Sequence, residues 1–156
     1  MSHDGATAGE ALLRGMLDVL ELNETTRTLT ITDYKTGSSF SSWASSPSTE
    51  EHTKIKQHHY RQQLLFYKLL VDSSSQWGKQ GWQATTGRLQ FVEPNSSGKI
   101  VQLELPYDRE ELERFERLVG AVWQKITTLD FPDTSSYEPT LAGILQFEED
   151  LLNGKI

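Results

Sequence analysis

Apolar and polar residues alternate from Gly15 to Leu22 and again from Thr28 to Lys35, and the stretch between them, Asn23 to Arg27, is entirely polar. A period of two argues for strands and a polar interruption for a turn, so the pattern predicts an antiparallel hairpin. Strand one is expected over about Leu12 to Leu22 and strand two over Thr28 to Lys35, with Gly37 free to turn the backbone away. With the turn centred between Thr25 and Thr26, Leu22 faces Leu29, Leu20 faces Ile31, Asp18 faces Asp33 and Met16 faces Lys35. The apolar pairs favour this register, because a one-residue slip would move one strand's apolar set to the other face. A slip of two residues keeps the faces and stays open.

Beyond the hairpin, residues 38–48 hold seven serines around Phe40, Trp43 and Pro47. So little apolar content predicts a mobile loop, with its aromatics resting on the protein's own surface rather than on nucleobases. Ser48-Thr-Glu-Glu51 has capping-box spacing and opens a helix expected to run to about Val71. Leu65, Phe66 and Leu69 would face the sheet, while His59, Gln63 and Tyr67 form one row four residues apart. Gln83 to Val92 and Ile100 to Leu105 read as strands around the turn Asn95-Ser-Ser-Gly98, with Val101, Leu103 and Leu105 on one face. Asp108-Arg-Glu-Glu111 resembles a second cap, and Leu112, Phe115, Leu118, Val122, Ile126 and Leu129 recur at helical spacing, predicting a core helix. Phe131-Pro132 ends it, Ser135 to Pro139 connects, and Leu141, Ile144, Leu145, Leu151 and Leu152 predict a short terminal helix. The order of elements is that of an α/β domain with a sheet of about four strands flanked by helices.

Composition narrows the class. At 156 residues, 36% apolar and 24% charged, the chain has ordinary globular values and the length of one domain, expected over residues 11–156. Without cysteine it has no disulfide framework, thiolate zinc site or iron–sulfur cluster. No apolar run reaches membrane-spanning length, so a soluble, cytoplasmic protein is expected. Residues 1–10 lack the charged and apolar regions of a secretory signal and read as a loose, disordered leader. A net charge of −7 counts against a protein that coats nucleic acid, although not against an enzyme that binds locally through metal ions.

The hairpin register has a chemical consequence. Directly opposed strand residues have Cβ atoms about 4.5–5.5 Å apart, and like charges there repel. A divalent cation between Asp18 and Asp33 would offset that repulsion, since Mg²⁺ takes one or two carboxylates and completes its shell with water and phosphate. Lys35 shares the face of Asp33, where an ammonium can hold an attacking water or stabilise charge on a phosphate oxygen. The blander reading is a hairpin with two solvated acids at its open end. The Gln63–Tyr67 row can equally be a half-exposed stripe, and His58 and His59 read as surface residues rather than zinc ligands.

Taken in order, Gly15-Met-Leu-Asp18, Asp33-Tyr-Lys35-Thr-Gly37 and Gln63-Leu-Leu-Phe-Tyr67 resemble the RecB-type branch of the PD-(D/E)xK nuclease superfamily, over roughly Leu12 to Val71. The resemblance implies a restriction-endonuclease-like mixed sheet. It also implies Mg²⁺ or Mn²⁺ held by Asp18, Asp33 and the Tyr34 carbonyl, with Lys35 serving the water and transition state. Gln63 and Tyr67 would position the site and the strand. The implied activity is metal-dependent, exonuclease-like hydrolysis of DNA, single-stranded or at duplex ends. The implied setting is the C-terminal module of a DNA repair or recombination helicase–nuclease. Family members usually carry a leading helix with a further His or Glu ligand, and His3 does not supply it convincingly. The chain is therefore expected to be a fragment, partnered by a helicase domain of its parent polypeptide and of low activity alone. Two alternatives stand beside this: a catalytically silent nuclease-fold module that binds DNA or a partner protein, and an unrelated α/β binding module whose hairpin mimics the motif.

Overall fold

The hairpin forms in the expected register from Val19 opposite Thr32 to Asn23 opposite Thr28, but the expected pairs of Asp18 with Asp33 and Met16 with Lys35 lie beyond the end of strand one and are not part of the ladder. In the structure, a computed structural model that describes residues 12–156, β1 (Val19–Asn23) pairs antiparallel with β2 (Thr28–Lys35), with Leu20 opposite Ile31 and Leu22 opposite Leu29. The leader expected over residues 1–10, His3 included, lies outside the described residues. Strand one is shorter than expected. Residues 12–18 carry no strand, and Leu12 and Met16 are exposed. At this end the Tyr34 N–H is taken by the Asp18 carboxylate at 2.8 Å, so a side chain rather than a strand carbonyl closes the ladder.

From β2 the chain crosses through α1 (Glu51–Ser73) to β3 (Gln83–Phe91), which runs parallel to β2; β4 (Gln102–Pro106) returns antiparallel. The sheet order is β1-β2-β3-β4. With α2 (Arg109–Thr128) and α3 (Leu141–Leu152), the architecture is α/β, a four-stranded mixed sheet flanked by three helices. Leu89, Phe91 and Leu105 meet Leu64 of α1 in one buried cluster, and Leu29 and Ile31 meet Val71 in another. The sheet-facing positions of α1 are thus Leu64 and Val71 and not the expected Leu65, Phe66 and Leu69, which join neither cluster. The opposite face is polar, with Arg88 bridging Glu21 and Glu104. No helix among the described residues is long and apolar enough to cross a membrane.

Several expectations give way to tertiary contacts. The serine-rich segment is docked rather than loose: Phe40 is buried against Phe91, Tyr60 and Trp43, the Trp43 indole donates to the Glu104 carbonyl, and Gln57 donates to the Ser42 carbonyl. Its two aromatics outweigh the serines because both find apolar partners. The first capping box does not form, since the N-cap of α1 is Glu50 and no side chain caps it. Glu51 instead accepts from the Leu141 N–H at the start of α3, joining two helices. At α2 the cap does form, with Asp108 accepting from the Glu111 N–H at 2.9 Å, while the Glu111 side chain pairs with Arg61 of α1.

The α2 stripe is not a core stripe throughout. Leu118 is buried, but Val122, Ile126 and Leu129 are 41%, 47% and 76% exposed, because this end of the helix turns Ala121, Gln124, Lys125 and Thr128, and not the apolar stripe, toward Leu151 and the residues after α3.

His58 also departs from expectation. It is mostly buried, with Nε2 2.7 Å from the Glu148 carboxylate of α3, which Gln62 and Arg114 also contact. Burial alone would raise the Glu148 carboxyl, but the hydrogen bond and charge of His58, with those from Arg114 and Gln62, outweigh it and hold the group below the usual range. A carboxyl lowered in the fold stabilises above its ordinary pKa and loses that contribution as the pH falls through the lowered value. Glu148→Gln should therefore flatten the acid limb of a stability–pH profile. Glu148→Ala should cost about 3 kcal/mol in urea unfolding at neutral pH, because partners built around a charge are left buried.

Candidate active site

Alternation along β2 puts Leu29, Ile31 and Asp33 on one buried face, so a carboxylate occupies what would otherwise be the next core position. Asp33 is 4% exposed. Lys35, two residues on, turns its ammonium to within 2.6 Å of Asp33 Oδ2, an ion pair without hydrogen-bond alignment. That Oδ2 is the one buried side-chain polar atom among the described residues with no hydrogen-bond partner. The Asp33 carboxylate is thus held inside the protein by a single adjacent lysine and two longer hydrogen bonds to its other oxygen.

Those bonds come from α1. The Tyr67 hydroxyl donates to Asp33 Oδ1 at 3.3 Å and the Gln63 amide reaches the same oxygen at 3.4 Å. Gln63 is the hub, because its Oε1 accepts from Lys35 Nζ at 2.6 Å while its Nε2 donates to the Tyr67 hydroxyl at 2.6 Å. Four-residue spacing on one helix face makes this possible. Burial pushes the Tyr67 phenol up from its ordinary value, opposed by the Gln63 hydrogen bond and reinforced by the charges of Asp33 and Asp18. Both carboxylates therefore act on one hydroxyl. Asp18 itself is exposed, in a bend just before β1, and is steered by the Tyr34 N–H.

The structure thus brings Asp33, Lys35, Gln63 and Tyr67 into direct contact at the carboxyl end of β2, with Asp18 and the Tyr34 backbone alongside. His59, the third member of the helical row, is exposed and takes no part. Tyr60 went unmarked in the sequence: its ring lies under Lys35, 4.5 Å from ammonium to centroid. Its position three residues before Gln63 was the available signal.

The donors suit a hard divalent cation. Mg²⁺ and Mn²⁺ favour carboxylate, carbonyl and water oxygens, and the orphaned Asp33 Oδ2 has the unused lone pair such an ion would satisfy. No group of three or more His, Cys, Asp or Glu converges on a metal position among the described residues.

With this geometry in hand, the family comparison is decisive: the model of the PD-(D/E)XK nuclease superfamily matches residues 2–138. The chain belongs to this superfamily. No curated protein and no solved structure matches it. The hairpin carrying Asp33-Tyr-Lys35 and the helix carrying Gln63 both fall within the matched span, in a fold consistent with the restriction-endonuclease-like sheet of the superfamily.

Because Lys35 neutralises a buried charge, Lys35→Met should destabilise the fold by about 3 kcal/mol. Adding Asp33→Asn should recover much of that loss, since the unpaired charge is gone. Urea unfolding of the two single variants and the double variant measures the coupling; strictly additive effects would mean that the pair does not interact.

Proposed function

We propose that the chain is a metal-dependent nuclease module that hydrolyses DNA phosphodiester bonds, of the RecB-type branch and exonuclease-like, working within a DNA repair or recombination helicase–nuclease. The observation that carries the reading is Asp33. A protein gains little stability from a buried carboxylate balanced by one lysine, whereas a phosphodiesterase site needs a fixed anionic oxygen and a cation side by side.

In this reading Asp18, Asp33 and the Tyr34 carbonyl hold Mg²⁺ or Mn²⁺. The bound ion supplies Lewis-acid polarisation of the phosphate and a water acidified enough to attack. Lys35 orients that water or stabilises charge developing on a phosphate oxygen. Gln63 fixes the Lys35 ammonium through its Oε1, and Tyr67 holds the strand-borne Asp33 against α1. The branch assignment rests on the order of the three motifs on strand, strand and helix. The helicase setting rests on the same resemblance. The second reading, a silent nuclease-fold module that binds DNA or a partner protein, is favoured by one observation: among the described residues no three His, Cys, Asp or Glu side chains converge on a metal position.

Calorimetry and thermal unfolding with Mn²⁺ separate the two. Weak binding and a modest rise in the unfolding midpoint are expected, since a ligand of the native state stabilises by mass action, and Asp33→Ala should abolish both. Undiminished Mn²⁺ binding by that variant would put the ion elsewhere. Cleavage of end-labelled DNA, by the chain alone and within the longer polypeptide this reading calls for, tests the chemistry. The chain alone should show little activity; in the longer protein Lys35→Ala should lower turnover about a hundredfold with DNA affinity nearly unchanged. Equal turnover would remove Lys35 from the mechanism.

A further inference from the structure

We propose that Lys56 is a second phosphate-binding residue of the site, gripping the DNA strand one step along from the phosphate that Lys35 addresses; this rests on the nuclease reading above. Lys56, Tyr60, Gln63 and Tyr67 follow one another on α1 at intervals of four, three and four residues, which places all four on the helix face turned toward the end of β2. The Lys56 ammonium lies 5.7 Å from the centroid of the Tyr60 ring, the same ring that carries Lys35 at 4.5 Å. It also lies 5.8 Å from the centroid of Phe91, the strand partner of Lys35. Two ammonium groups on one aromatic ring are close enough to serve neighbouring phosphates of a single strand.

Lys56 differs from Lys35 in having no counter-ion. No carboxylate of the described residues lies within ion-pair distance of it, whereas Lys35, Lys54, Lys68 and Arg88 are all paired. Its one hydrogen bond is donated to the Ser38 carbonyl at 2.8 Å. An ammonium has three donors, so Lys56 keeps capacity for an anion while being held in place. The hold is firm because Ser38 opens the segment whose Phe40 is buried beside Tyr60 and Phe91. In a chain of net charge −7, phosphate binding must rely on such local cations. The alternative role, bracing the docked segment through Ser38, concerns stability and not salt-dependent binding.

Fluorescence anisotropy of a fluorescein-labelled single-stranded oligonucleotide, titrated with the full chain at several salt concentrations, distinguishes these. Ca²⁺ replaces Mg²⁺ as a looser hard cation. Lys56→Met keeps the apolar stem, and Lys56→Gln serves if that variant folds poorly. Loss of one phosphate contact should weaken binding about fivefold at roughly 0.1 M salt and reduce the slope of log K against log salt by about 0.7. Lys56→Arg should restore both, and the Mn²⁺ affinity of Lys56→Met should stay at the wild-type value. An unchanged slope in Lys56→Met, with or without a drop in affinity, would overturn the proposal and leave the nuclease reading intact. Wild-type protein that bound no DNA at any salt concentration would overturn both.

Discussion

The site is organised around a carboxylate placed inside the core. Asp33 stands on the buried face of β2 directly after Leu29 and Ile31, and a charge there is costly unless paired. Lys35 supplies the charge, Gln63 fixes Lys35, Tyr67 bonds the second oxygen, and Tyr60 lies beneath the ammonium. Each of these residues is placed by regular backbone, so the geometry is set by helix and strand periodicity and not by loop conformation. A site built that way is pre-organised before any ligand arrives, which is what electrostatic catalysis requires.

The helix that serves this charge cannot be a simple amphipathic one. One side of α1 covers the sheet with Leu64 and Val71, and another meets α2 and α3 through Arg61, His58 and Gln62. The row Lys56, Tyr60, Gln63 and Tyr67 runs along it toward the end of β2. Crowding from several directions explains why polar residues such as Gln57 and Glu148 are buried, and why each has specific partners. The N-terminal half of the same helix is tied to the serine-rich segment and to the start of α3.

An acidic chain can still receive a polyanion if its cations are sorted. Several lysines and arginines are spent on ion pairs that join elements, such as Arg61 with Glu111 across α1 and α2, or Arg88 with Glu21 and Glu104 across the sheet. Lys35 and Lys56 converge on one ring at the end of β2. Two cations therefore stand at the end of β2 beside the buried Asp33 carboxylate, a local balance that the net charge of the chain does not reveal.

The sequence by itself determined the hairpin, its register and the strand–helix–strand order, because these follow from local periodicity: two along strands, and three to four along helices. The candidate set Asp18, Asp33, Lys35, Gln63 and Tyr67 needed the family resemblance as well, since the row on the helix does not by itself mark a site. Tertiary structure alone decided the rest. Composition made residues 38–48 look loose, but two aromatics with a waiting apolar surface were enough to dock them. Glu51 and Ser48 have the spacing of a cap, yet Glu51 found a stronger use at α3, which local spacing cannot foresee. The α2 stripe reads as core along its whole length, and only the fold decides which face of the helix its neighbours cover. Tyr60 and Lys56 were silent for the same reason, since a side chain matters at a site through what the fold brings opposite it.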